Sequence, residues 1–92
     1  MFYTYILENK KNDEWYVGYT SDLRRRLQEH NQGLNLSTKR YMPWKVIYYE
    51  ACVIEEDAKR RERYLKTTDG RIMLRRRLRE YLRVKRLKDL TN

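Results

Sequence analysis

Tyr5, Tyr16, Arg26, His30 and Glu62 are residue types that handle protons, phosphate and metal ions, and the last three fall on helix stripes where apolar side chains are expected. A single carboxylate such as Glu62 can hold a divalent cation, Mg²⁺ or Mn²⁺, with water and phosphate oxygens in the remaining positions. An arginine such as Arg26 can grip two non-bridging oxygens with its planar fork. A tyrosine near a cation, or a neutral histidine, can take a proton from water. Together these parts suit hydrolysis of a phosphodiester, which needs an activated water, a stabilised phosphorane and help for the departing oxygen. The plainer readings are strand tyrosines in the core, a satisfied core histidine, and an Arg26–Glu62 structural ion pair.

The elements that must position these residues follow from the pattern. Residues 2–8 and Glu14 to Thr20 are rich in β-branched and aromatic residues, with Asn9 to Asp13 as polar turn material, which predicts a β-hairpin. A register that pairs Leu7 with Glu14, Tyr5 with Tyr16 and Tyr3 with Gly18 sets the two phenols side by side. Thr20, Ser21 and Asp22 offer N-caps for a helix to about Asn31, ended by Gly33, whose inward stripe takes Leu23, Arg26, Leu27 and His30. A loop follows, and Pro43 leads into a third strand, Trp44 to Val53.

Glu55, Glu56 and Asp57 open a second helix whose stripe holds Ala58 and Leu65 with Arg61 and Glu62 between, and Thr67 to Gly70 closes it. About residues 71–88 form a basic amphipathic helix with Ile72, Met73, Leu74, Leu78, Tyr81, Leu82 and Leu87 facing in.

At 92 residues the chain predicts one domain spanning 1–92, with a small core. Cys52 is the single cysteine, so no intramolecular disulfide forms, and the short apolar start followed by Glu8 to Lys11 is neither a signal peptide nor a membrane span. A cytoplasmic, soluble protein is expected. The net charge is +9, and residues 71–92 hold nine Lys/Arg against two Asp/Glu. A field so concentrated favours polyanions. Arg75, Arg76, Arg79 and Arg83 of this tail are candidates for backbone phosphate contacts, as are Arg24, Arg25 and Lys39 earlier in the chain. A membrane-surface helix and a partner-binding helix are the competing readings of the tail.

Several pieces, taken in order, carry a resemblance. They are Tyr3-Thr4-Tyr5, then Tyr16-Val17-Gly18, then Thr20-x-Asp-Leu-x-x-Arg26-Leu-x-x-His30-Asn31-x-Gly33, then Pro43-Trp44-Lys45, and finally Asp57-Ala58-x-x-x-Glu62-x-x-Leu65-Lys66. Over about residues 2–70 this set resembles the GIY-YIG nuclease superfamily, in particular its small single-domain branch related to the excinuclease nuclease domain. The resemblance implies an α+β fold, a small three-stranded antiparallel sheet flanked by helices in the order β-β-α-β-α-α. It implies a metal-dependent endonuclease that hydrolyses DNA phosphodiester bonds, DNA rather than RNA, in repair or recombination and with a protein partner for targeting.

By the matched positions, Tyr5 and Tyr16 are the motif tyrosines, with Tyr16 orienting or deprotonating water. Arg26 stabilises the phosphorane, His30 assists proton transfer and Glu62 ligates a divalent ion, Mg²⁺ or Mn²⁺. Tyr3-Thr4 replaces the motif's Gly-Ile, Val17 its second Ile, Tyr19 a lysine found in some members, and Leu74 an asparagine. These departures motivate the alternative, a catalytically inactive nucleic-acid-binding module that retains the fold.

Overall fold

Branched and aromatic residues from Phe2 to Asn9 form β1, and Trp15–Thr20 form β2. The computed structural model describes residues 1–91. The chain continues through α1 (Leu23–Asn31), a 3-10 turn (Lys39–Tyr41), β3 (Trp44–Cys52), α2 (Glu55–Leu65), α3 (Thr68–Arg77) and α4 (Arg79–Thr91). The strands make one antiparallel sheet in the order β2-β1-β3, the α+β architecture expected, with one helix more than the order β-β-α-β-α-α.

The hairpin register differs from the expected one by two residues. Tyr5 pairs with Gly18, Leu7 with Tyr16 and Glu8 with Trp15. The turn decides this. The Asn9 side-chain oxygen accepts from the Lys11 and Asn12 amides at 2.9 and 2.8 Å, and Asp13 takes a left-handed φ of 64°. That tightens the loop to Lys10–Asp13, closed by the Asn9 N–H to Glu14 oxygen bond of 3.0 Å. Because strand side chains alternate with period two, the shift leaves every residue on its expected face.

The two faces are covered differently. Tyr5, Leu7 and Trp44 are buried beneath Leu23 and Leu27 of α1, while Ile6 and Val17 are buried against Leu65 of α2 and Leu74 of α3. Fully burying each of Ile6, Leu7, Leu65 and Leu74 contributes roughly 1.5–3 kcal/mol. α1 begins at Asp22, whose carboxylate accepts from the Arg25 amide at 3.1 Å, and the chain leaves it through Gly33 at a φ of 76°.

Two expectations about the second half are corrected. Thr67 to Gly70 does not close a helix; Thr67 caps α3 by accepting from the Gly70 amide at 3.0 Å. Position 70 lies inside α3 and must be glycine, because a Cβ there would stand 2.1 Å from the Tyr64 oxygen and 2.6 Å from the Leu65 Cα. The basic tail is also two helices, broken at Leu78, and Ile72 and Leu87 are exposed, not inward.

A buried charge accounts for the break. Glu8 of β1 is 1% exposed and accepts from Trp15 Nε1 at 2.9 Å and, from α4, the Tyr81 hydroxyl at 2.5 Å and Lys85 Nζ at 2.9 Å. A buried carboxylate left unpaired is costly, so α4 turns to supply its donors.

Candidate active site

Tyr5 sits on the central strand with its ring across Gly18, where a Cβ would fall 2.3 Å from both Cζ and the hydroxyl oxygen of Tyr5. The glycine of the second motif is therefore the space that the first motif's tyrosine occupies. From α1, Arg26 Nε donates to the Tyr5 oxygen at 3.3 Å, and Arg26 Nη1 pairs with Glu29 Oε1 at 3.0 Å. A guanidinium only donates, so the phenolic hydrogen of Tyr5 is left for His30 Nε2, 2.9 Å away. That assignment places the imidazole hydrogen on Nδ1, which lies 2.7 Å from Thr38 Oγ1.

Burial sets the protonation of this cluster. It pushes the Tyr5 phenol up to about 12, opposed by the Arg26 hydrogen bond, with the Glu62 charge adding a small upward push. Burial, followed by the nearby Arg26 charge, pushes His30 down to about 4, so its imidazole is neutral near pH 7. Tyr16 completes the group through ring contacts, 5.0 Å from the His30 centroid, 6.4 Å from that of Tyr5 and 6.3 Å from that of Trp44. It remains half-buried, whereas Tyr5 is 1% exposed.

Glu62 reaches the region from the other layer. Glu55, Lys59, Glu62 and Lys66 share one stripe of α2. The Tyr19 hydroxyl donates to Glu55, and Lys59 Nζ lies 5.7 Å from the Tyr19 ring centre, so the stripe runs along β2, the edge strand. That bond to Glu55, ahead of burial, pushes Tyr19 up to about 12. Glu62 Oε2 lies 3.5 Å from Lys66 Nζ. The Arg26–Glu62 ion pair weighed from sequence does not form, because each residue pairs within its own helix. Four of the five candidates thus meet in one cluster, and Glu62 stands apart from direct contact with it.

Among the described residues no group of three or more His, Cys, Asp or Glu side chains could hold a metal ion. A single carboxylate is nonetheless what Mg²⁺ often takes from a protein, keeping waters and substrate phosphate as its other ligands. Glu62, half-buried beside the edge strand with one ammonium partner, fits that role.

The basic candidates divide between the two faces. Arg24 and Arg25 are exposed on α1, Arg25 lying 3.9 Å from Glu29, and Lys39 follows Thr38. Arg75 lies across the sheet, its guanidinium 5.5 Å from the Trp15 ring centre, and Arg76 and Arg79 are exposed on α3 and α4. Leu74 is fully buried on that same face.

Thr38 and Glu29 escaped the sequence reading, as did the clamp in which Asn31 accepts from the Trp44 amide at 2.7 Å and donates to the Trp44 carbonyl at 2.9 Å. Asn31 carried a signal in its place between His30 and Gly33. Thr38 sits in an aperiodic loop and carried none.

A three-stranded antiparallel sheet with helices on both faces, two strand tyrosines gathered with an arginine and a histidine on one of them, defines a class of small α+β domains. The family model described as the GIY-YIG catalytic domain matches residues 1–76, and the chain belongs to this nuclease family. A UPF0213 protein of Streptococcus pneumoniae serotype 4 is 40% identical over 65 residues, 70% of this chain and 65% of that protein. UPF0213 protein YazA of Bacillus subtilis is 36% identical over 63 residues, 67% of this chain and 63% of YazA. The chain therefore spans a little under two thirds of the length of these two relatives. The solution NMR structure of the UPF0213 protein BH0048 from Bacillus halodurans superposes with a TM-score of 0.50 at 33% identity, covering 80% of this chain and 82% of that one. No helix among the described residues is long and apolar enough to cross a membrane.

Proposed function

We propose that this chain is a metal-dependent endonuclease that hydrolyses DNA phosphodiester bonds, with repair or recombination intermediates as its substrates and the cytoplasm as its setting. The observation that carries the reading is the hydrogen-bonded cluster of Tyr5, Arg26 and His30 with the Tyr16 ring against it. In this reading Arg26, already held by Tyr5 and Glu29, turns its remaining guanidinium donors to the non-bridging oxygens and stabilises the phosphorane. His30, neutral and hydrogen-bonded on both ring nitrogens, accepts from the Tyr5 hydroxyl, holds it in place and assists proton transfer at the site. Tyr16, the more exposed of the two tyrosines, orients or deprotonates the attacking water. Glu62 holds a Mg²⁺ or Mn²⁺ ion, which when bound supplies Lewis-acid polarisation of the phosphate. Arg24, Arg25 and Lys39 hold the backbone on the same side, and Arg75, Arg76 and Arg79 hold further DNA across the sheet.

The test is incubation with single-stranded, nicked, flapped and branched DNA in Mg²⁺ or Mn²⁺, beside Glu62→Gln. Wild-type cleavage should require the metal and fall by roughly 10²-fold or more in the variant. Cleavage that survives the substitution, or that proceeds without metal, overturns the mechanism. Salt-sensitive binding without turnover on any substrate would instead define a non-catalytic nucleic-acid-binding module.

A further inference from the structure

Next to Tyr5 on the face covered by α1 lies an open concavity of about 510 Å³. Leu23, Leu27, Val46 and the Tyr3 and Tyr49 rings give it an apolar lining, and Ser21, Asp22 and Arg24 line it as well. Its size falls in the range of about 300–1,000 Å³ that small-ligand pockets occupy, with the usual apolar lining and few polar groups.

Three observations say what would sit there. Tyr49 is 54% exposed, a large aromatic left in water, although it is the direct cross-strand partner of the fully buried Tyr5. The Tyr3 and Tyr49 rings meet edge to face, with centroids 5.9 Å apart and planes at 65°, so one offers a flat face while the other closes the side. Of the two charged residues lining it, Asp22 caps α1 by accepting from the Arg25 amide at 3.1 Å, which leaves the exposed Arg24 to meet an anionic group beside a flat π-system. A nucleotide has that chemistry, since every base has a π-face for an aromatic ring and a phosphate for an arginine. A base in a duplex is enclosed by its neighbours, so the occupant is unpaired. Tyr3 also stands where the family motif has glycine, so its ring is this chain's addition to the motif strand.

We propose that the Tyr3–Tyr49 concavity is a nucleobase subsite, taking an unpaired base that flanks the phosphate held at Tyr5 and Arg26. Directly opposed strand residues lie about 5 Å apart at Cβ, so the base belongs to a nucleotide adjoining that phosphate. Its place beside a scissile phosphate rests on the nuclease reading above; its affinity for bases does not.

The test separates the two. Fluorescence anisotropy with excess EDTA measures binding of a labelled thymidine hexamer and of the same hexamer carrying abasic positions, for wild type, Tyr49→Ala and Tyr49→Phe. Tyr49→Ala should weaken the base-bearing hexamer roughly 5- to 100-fold, leave the abasic one unchanged, and be rescued by Tyr49→Phe. No loss in Tyr49→Ala, or an equal loss on both oligomers, overturns the subsite; an apolar peptide would then be the better occupant. Discrimination of base from abasic DNA by a protein that cleaves nothing in Mg²⁺ supports the subsite and sinks the nuclease. Cleavage without such discrimination does the reverse.

Discussion

His30 is the chain's one histidine, so its imidazole can be followed by NMR without ambiguity. Fully buried, bonded at Nε2 and Nδ1 and near the Arg26 charge, it is held at about 4, against an ordinary value of 6.5. Between these values the unfolded chain binds a proton that the folded chain refuses, so folding stability falls as the pH drops from about 6.5 to 4. The loss across that window is about 3 kcal/mol by linkage. Glu8, held below the usual carboxylate range despite its burial by bonds from Tyr81, Trp15 and Lys85, adds its own loss only at lower pH. The imidazole resonance should therefore show no protonation step down to pH 5, and a midpoint near 6.5 would refute the buried, neutral assignment. Sequence spacing put His30 and Arg26 on an inward stripe, and they are there. The plainer alternative, an Arg26–Glu62 ion pair, gives way to Glu29, one helical turn away, which takes the guanidinium.

Packing between α2 and α3 decides more than propensity does. Alanine is favoured over glycine inside a helix by about 1 kcal/mol, so Gly70→Ala would stabilise α3 on its own. In the protein the new Cβ would meet the Tyr64 carbonyl oxygen and the Leu65 backbone. We expect Gly70→Ala to lower unfolding stability by roughly 1–3 kcal/mol, measured by urea titration, as overpacking against immovable backbone does. An unchanged or raised midpoint would show that α3 can shift away from α2. The same site explains the misreading of Thr67–Gly70 as a stop, because a glycine after a threonine pair reads equally as an end and as the first turn of the next helix. Hairpin register was illegible for a related reason, since Asn9 and Asp13 shorten the loop through side-chain and left-handed backbone geometry.

For the molecule as a whole, the sheet separates two basic regions. Arg24 and Arg25 lie on α1, over the Tyr5 face, while Arg76 and Arg79 lie on the helices of the opposite face. A short oligonucleotide held at Tyr5 engages the first pair alone. Arg24→Ala/Arg25→Ala should make the slope of log binding constant against log salt shallower by roughly 1.4–1.8, as loss of two phosphate contacts requires, while Arg76→Ala/Arg79→Ala leaves it unchanged. Anisotropy titrations from low to high salt measure both. Equal effects of the two pairs would mean that the strand wraps the sheet edge.

Local composition by itself determined three strands, at residues 2–8, Glu14 to Thr20 and Trp44 to Val53, each within a residue of the observed ends, and a capped helix to about Asn31, because period and capping are properties of neighbouring residues. The inward placing of Arg26 and His30 on α1 was legible for the same reason, whereas membership of the family was carried by the ordered set of motifs that the chain shares with it. Tertiary structure alone decided that Tyr5 lies across Gly18, that Thr38 bonds His30, that Glu62 stands on the far layer beside the edge strand, and that α4 turns to reach Glu8. Each of these joins residues brought together only when the sheet and helices pack, where desolvation of a buried phenol, imidazole or carboxylate selects the partner.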